Sequence, residues 1–155
     1  MFIQSESGGK CSAKHVIAER SKTHDLIGPP DPVSNLRPII FHIPKNELPI
    51  ETKFRNEREK IQKWNEEFWT KHNLRFIKER KQYIKDIAGP NERTLTADEM
   101  SVFYKTFLDK NWNVHLKYNM EWYRRNVGLA VLALRVKLIK FKNDLSKRNS
   151  FVAPR

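Results

Sequence analysis

The residues able to bind a cofactor or start a reaction are few and far apart. Histidines stand at 15, 24, 42, 72 and 115, never closer than nine residues, so no two share a helix face at the i, i+4 spacing that holds a metal ion. Cys11 is the only cysteine, which excludes an intrachain disulfide and a zinc site built from cysteine alone. The glycines at 8, 9, 28, 89 and 128 form no glycine-rich loop leading into a helix, so no phosphate cradle is present. His115 is the histidine to weigh. It lies seven residues after Leu108 and seven before Trp122, on a helical face with apolar and aromatic neighbours. There it is either a core histidine donating to a polar neighbour or, in a sharper reading, an axial ligand for haem or copper. His72 or His42 could be the second ligand only if the fold brings one near. The cofactor stays unassigned, and the chain reads as a non-enzyme.

Charge narrows the partners. The 155 residues hold 30 Lys and Arg against 18 Asp and Glu, for a net +12, and +7 of that falls in residues 119–155. An acidic partner, whether lipid, protein or nucleic acid, should therefore meet the C-terminal end. The longest charge-free apolar run, residues 127–134, is eight residues long. As a helix it rises about 12 Å, too little for a hydrocarbon core of about 30 Å.

The elements that position these residues follow from proline, glycine and periodicity. Residues 1–24 carry no clear period and read as a flexible tail or a mitochondrial presequence. Residues 25–49 hold six of the eight prolines, interleaved with Leu26, Ile27, Leu36, Ile39, Ile40, Phe41 and Ile43. Proline biases such a stretch to extended geometry, so it reads as an ordered arm packed on the body, with residues 39–43 as one edge strand or a groove-lying segment. Residues 50–87 predict a long helix from Phe54, Ile61, Trp64 and Phe68 and then Leu74, Ile77, Ile84 and Ile87. His72-Asn73 is the expected kink, and Gly89-Pro90-Asn91 the stop. Thr96 and Glu99 form a capping box that opens a return helix to about 147, with a possible break near 113–119 and a flexible tail at 148–155.

The end of that helix carries two apolar stripes. Val127, Val131, Leu134, Leu138, Phe141 and Leu145 make a heptad seam. Leu129, Leu132, Val136 and Ile139 lie on roughly the opposite side, with Arg135, Lys137 and Lys140 between or beside them. Both stripes cannot be satisfied by one neighbour. The second stripe and its cations are taken as the surface for a partner or a membrane.

Several uncommon strings occur in order: Ile27-Gly28-Pro29-Pro30-Asp31, then Ser34-Asn35-Leu36-Arg37-Pro38, Trp64-Asn65, Phe68-Trp69, Ala97-Asp98-Glu99-Met100, Phe103-Tyr104-Lys105, His115, and Trp122-Tyr123-Arg124-Arg125-Asn126. Over about residues 25–145 the chain resembles the cytochrome c oxidase assembly factor 8 family, also called mitochondrial apoptogenic protein 1. Leu26 stands where that family commonly has Trp. The resemblance implies a protein on the matrix side of the mitochondrial inner membrane, peripheral rather than spanning. It implies a part in assembling or protecting respiratory complex IV, by contact with its subunits or assembly intermediates, and a link to cytochrome c release and apoptosis. It brings no catalytic residues.

The expectation is an all-α fold, a small bundle of long antiparallel helices over 50–147 with a Pro-rich arm at 25–49. The function is a non-catalytic assembly factor. The alternatives are a haem- or copper-handling chaperone using His115 and a nucleic-acid-binding module using the basic C-terminal helix. Nucleic acid is disfavoured because the apolar stripe beside the cations suits lipid or protein better.

Overall fold

A computed structural model describes residues 23–89 and 93–152. The expected presequence or tail falls almost wholly outside those residues, as do Pro90 and Asn91 of the expected stop. Two helices dominate, α1 at Pro49–Ala88 and α2 at Ala97–Val152. They pack antiparallel: Tyr83 of α1 meets Phe103 of α2, and Trp64 meets Tyr118. At 1.5 Å per residue α1 is about 60 Å long and α2 about 84 Å. Lys140 of α2 pairs with Glu51 in the first turn of α1, so the rest of α2 runs on past the start of its neighbour.

Local chemistry sets the helix ends. Pro49 occupies the first position of α1, where no backbone N–H is missed. Leu48 offers no side-chain cap, and Glu51 reaches back to accept from the Leu48 N–H at 3.0 Å. Gly89 closes α1 at φ +67°, a conformation glycine enters without cost, and its N–H reaches the Lys85 carbonyl. The capping box at the start of α2 forms: the Glu99 N–H donates to Thr96 Oγ1 at 3.3 Å and the Thr96 N–H to Glu99 Oε2 at 2.8 Å. Arg93 bonds the same carboxylate and, first among several causes, pulls its pKa down to about 2.

Neither expected site breaks its helix. α1 passes unbroken through His72 and Asn73, because tertiary partners hold both: His72 is buried among aromatic rings, and Asn73 Nδ2 donates to the Val33 carbonyl at 2.7 Å. α2 passes unbroken through 113–119 and beyond 147 to Val152. Asparagine is only a mild helix penalty, which packing overrides.

The arm folds back on itself. β1 (Leu26–Ile27) pairs antiparallel with β2 (Ile39–Ile40), Leu26 opposite Ile40 and Ile27 opposite Ile39. Between them Asp31 organises the loop. Its Oδ1 accepts from the Val33 N–H at 3.0 Å, the Ser34 N–H at 2.7 Å and Ser34 Oγ at 3.0 Å. Asn35 then takes φ +59°, a left-handed conformation that asparagine tolerates. Besides Asn73 at the loop, Gln62 and Arg58 clamp the hairpin to α1. Gln62 accepts from the Ile39 N–H at 3.2 Å and donates to the Ile39 carbonyl at 3.1 Å, completing the outer edge of β2. Arg58 sits 3.9 Å over the buried Phe41 ring and pairs with Asp25 at 3.2 Å.

Candidate functional site

The helices meet through aromatic rings. Tyr118 stacks on Phe68 with centroids 4.1 Å apart and on Trp64 at 5.2 Å. Its hydroxyl accepts from Trp69 Nε1 at 2.9 Å and donates to Asn65. Farther along, Phe103 and Phe107 are buried against Phe76, and Asn111, 1% exposed, accepts from Arg75 and donates to the Phe107 carbonyl at 2.7 Å. This interlock fixes the rotation of α2 and so decides which stripe faces out. The inner half of α1 differs from the periodic reading: Leu74, Ile77 and Ile87 are exposed, and Trp69, His72, Phe76 and Tyr83 line the interface instead.

His115 lies inside this interface, and the fold brings His72 to it. Their Nε2 atoms are 3.3 Å apart and their rings nearly perpendicular, at 77°. The sequence reading placed a kink at His72; its position four residues after Phe68 and three after Trp69 was the signal that it belongs to the interface. Burial, with smaller contributions from His115 and Arg75, lowers the His72 pKa. His72 is thus neutral at pH 7, and one imidazole donates to the other across the pair. His72 Nδ1 is buried with no hydrogen-bond partner. His72 and His115 are the two residues that would hold a metal ion here, and neutral imidazoles of this kind suit copper or zinc. A haem iron takes axial ligands from opposite faces of a flat ring, so this pair does not fit bis-histidine haem. Among the described residues no group of three or more His, Cys, Asp or Glu could hold a metal ion.

Of the arm residues singled out from the sequence, only some stand near both helices. Gly28 is buried and its N–H donates to the Pro38 carbonyl at 2.8 Å; Pro29 and Pro30 are exposed in the loop. Leu36, Arg37 and Pro38 line a cavity of ≈ 490 Å³ with Ile61 and Gln62 of α1 and Trp122 and Leu129 of α2.

The two stripes of α2 are placed opposite to expectation. Leu132 and Val136 are buried, each 9% exposed, Leu129 is half-buried and Ile139 is 39% exposed. Leu132 follows Tyr118 by two heptads and Val136 follows it by five full turns, so both lie on the face turned to α1. The stripe taken as the partner surface therefore faces inward, and only Ile139 remains open. The heptad seam from Val127 to Leu145 faces out, its residues 43% to 64% exposed. It continues toward the N-terminus through Tyr123, Met120 and Leu116 to Trp112, all exposed. Arg135 and Lys137 are exposed and without ion pairs among the described residues; Lys140 is paired with Glu51.

A family model described as cytochrome c oxidase assembly factor 8 matches residues 24–142. The chain belongs to the cytochrome c oxidase assembly factor 8 family. It is 43% identical over 136 residues to the Bos taurus protein of that name, covering 81% of this chain and 71% of the relative. To the Homo sapiens protein it is 41% identical over 139 residues, 83% of this chain and 68% of the relative. A Drosophila melanogaster family member whose name marks it as mitochondrial is 43% identical over 126 residues, 81% of this chain and 71% of the relative. No solved structure matches the chain. The matched span takes in the arm hairpin, the whole aromatic interlock and most of the outward stripe.

Proposed function

We propose that this chain is a non-catalytic mitochondrial factor for the assembly or protection of cytochrome c oxidase. It works peripherally at the matrix face of the inner membrane, where it meets oxidase subunits or assembly intermediates. The observation that carries the reading is the long bare face of α2. The interlock spends the inner face of that helix on α1 and leaves ten apolar side chains, from Trp112 to Leu145, on the outside. An exposed apolar patch of that extent marks an interaction surface. The family descriptions of the relatives support oxidase assembly as the process served. Depleting the chain from mitochondria should lower assembled complex IV while the other respiratory complexes stay unchanged on native gels, and re-expression should restore it. Unchanged complex IV after depletion overturns the proposal. A link to cytochrome c release would follow as a consequence of oxidase failure, and purified chain should then release none from isolated mitochondria.

A second reading, copper handling, is favoured by one observation, the two Nε2 atoms of His72 and His115 at 3.3 Å. Cu(I) titrated against a chelator should then bind the wild-type chain and not His115→Ala. Equal binding by both ends this reading and leaves the first intact.

A further inference from the structure

No helix among the described residues is long and apolar enough to cross a membrane, yet the outward stripe of α2 is about 50 Å long and needs an occupant. Three of its features select one. The first is charge. Looking down the helix at 100° per residue, Lys117, Arg124, Arg135 and Lys142 lie roughly 70–90° from the middle of the stripe on one side and Lys137 about 70° on the other, while Arg148 follows the stripe's own line beyond Leu145. All six are exposed, and only Arg124 has an ion-pair partner among the described residues, Glu121. Acids are sparse nearby: Asp109 ends the stripe beyond Trp112, and Asp144 lies beside the far end. A second copy of this chain would bring cation row against cation row.

The second feature is period. From Trp112 to Leu145 the ten stripe residues advance 33 positions in nine steps. That mean, about 3.67, is near the helix's own repeat and away from the 3.5 of a left-handed coiled coil. The stripe thus runs almost parallel to the axis of a straight helix, so one flat surface can meet it along its whole length. The third is orientation. Among the described residues the face of α2 that packs on α1, through Phe103, Phe107 and Tyr118, lies roughly opposite the stripe, which leaves the stripe clear of α1. Trp112 and Tyr123, both exposed in the stripe, are side chains favoured at the boundary between water and hydrocarbon.

We propose that the outward face of α2 is an interfacial anchor that lies flat on an anionic phospholipid bilayer. The stripe enters the boundary between headgroups and acyl chains, and the flanking Lys and Arg side chains reach the phosphates. This deepens the proposed function by naming what that face meets.

The test is flotation of the full chain with vesicles of pure phosphatidylcholine and of phosphatidylcholine mixed with phosphatidylglycerol. Binding should need the anionic lipid and should weaken at about 0.5 M salt, where charges are screened beyond a few ångströms. The variant R135Q/K137Q/K142Q should bind about a hundredfold more weakly, about fivefold for each cation. The variant L134S/L138S/F141S should lose binding while keeping its helical circular dichroism, because all three side chains are more than half exposed. Absence of flotation with anionic vesicles at low salt overturns the inference, as does flotation that neither variant changes. It is equally overturned if the wild-type chain sediments as a dimer that the serine variant abolishes while vesicles are ignored, or if that variant leaves mitochondria although the wild type binds no vesicle, which would assign the face to an acidic protein. The two proposals fail separately. Vesicle binding with normal complex IV after depletion removes the assembly role alone; loss of complex IV without vesicle binding removes the lipid assignment alone.

Discussion

Removing the Tyr118 hydroxyl while keeping its ring separates the two ways this side chain joins the helices. In Tyr118→Phe the stacks on Phe68 at 4.1 Å and Trp64 at 5.2 Å survive. Trp69 Nε1 loses its acceptor and Asn65 its donor. Both groups are only partly buried, so water recovers some of the loss, and the cost should be about 1–2 kcal/mol. Tyr118→Ala removes the ring as well. Deleting an aromatic side chain at a packed interface costs about 3–5 kcal/mol, which includes about 0.5–1.5 kcal/mol for each stacked pair. For a chain of this size these losses correspond to melting points lower by about 2–8 °C and about 6–20 °C. Urea unfolding followed by circular dichroism at the helical minimum gives both numbers, with an unchanged m-value showing that the native body is the same. A phenylalanine variant within about 0.5 kcal/mol of wild type would mean that the hydroxyl bridge is idle. An alanine variant no worse than the phenylalanine one would mean that the stack carries nothing, and the account of how α2 is held in rotation would fall with it.

Acidification should weaken the same interface at the histidine pair. The folded pKa of His72 lies below its ordinary value of 6.5, so its contribution is complete above that pH and is lost as the pH falls from there through the lowered folded value. Denaturant midpoints measured between pH 7.5 and pH 5, as an approximate range, should fall for wild type and stay flatter for His72→Phe; parallel slopes would refute the assignment. Asp31→Ala should free the Val33 and Ser34 amides and loosen the arm, raising hydrogen exchange across residues 26–40 at a cost of about 1–2 kcal/mol. Exchange in the cores of α1 and α2 should not change, and if it does the arm is no separate unit.

The two long helices and their antiparallel return were legible because proline, glycine and a capping box bracket them on the chain. Their continuity was not. His72-Asn73 reads locally as a break, and only the Val33 carbonyl, 40 residues away, shows why Asn73 is comfortable in a helix. The arm was legible as ordered and extended, but its hairpin was not, since each strand is only two residues long and the turn depends on Asp31 accepting three hydrogen bonds at once. Tyr118 as the hub was invisible for a related reason: periodicity ranks residues by apolarity, and the hub works as much through its hydroxyl as through its ring.

The two stripes of α2 show where a pattern read from one helix stops. The outward stripe is the more regular and the more apolar of the two, and a heptad seam ordinarily marks the packed side. Here the packed side is the rougher one. At heptad spacing it reads Tyr118, Arg125, Leu132, a row that includes an arginine. That arginine is accommodated because its guanidinium lies 4.6 Å over the Trp64 ring, a favourable seat for a cation with its stem buried. α1 is itself rich in polar and aromatic side chains, so it matches the mixed row better than the clean one. The intramolecular neighbour takes the face it complements, and the face left over is the one selected for something outside the chain. For a helix with two apolar stripes, the composition of its partner within the fold, and not the regularity of either stripe, decides which is the interaction surface.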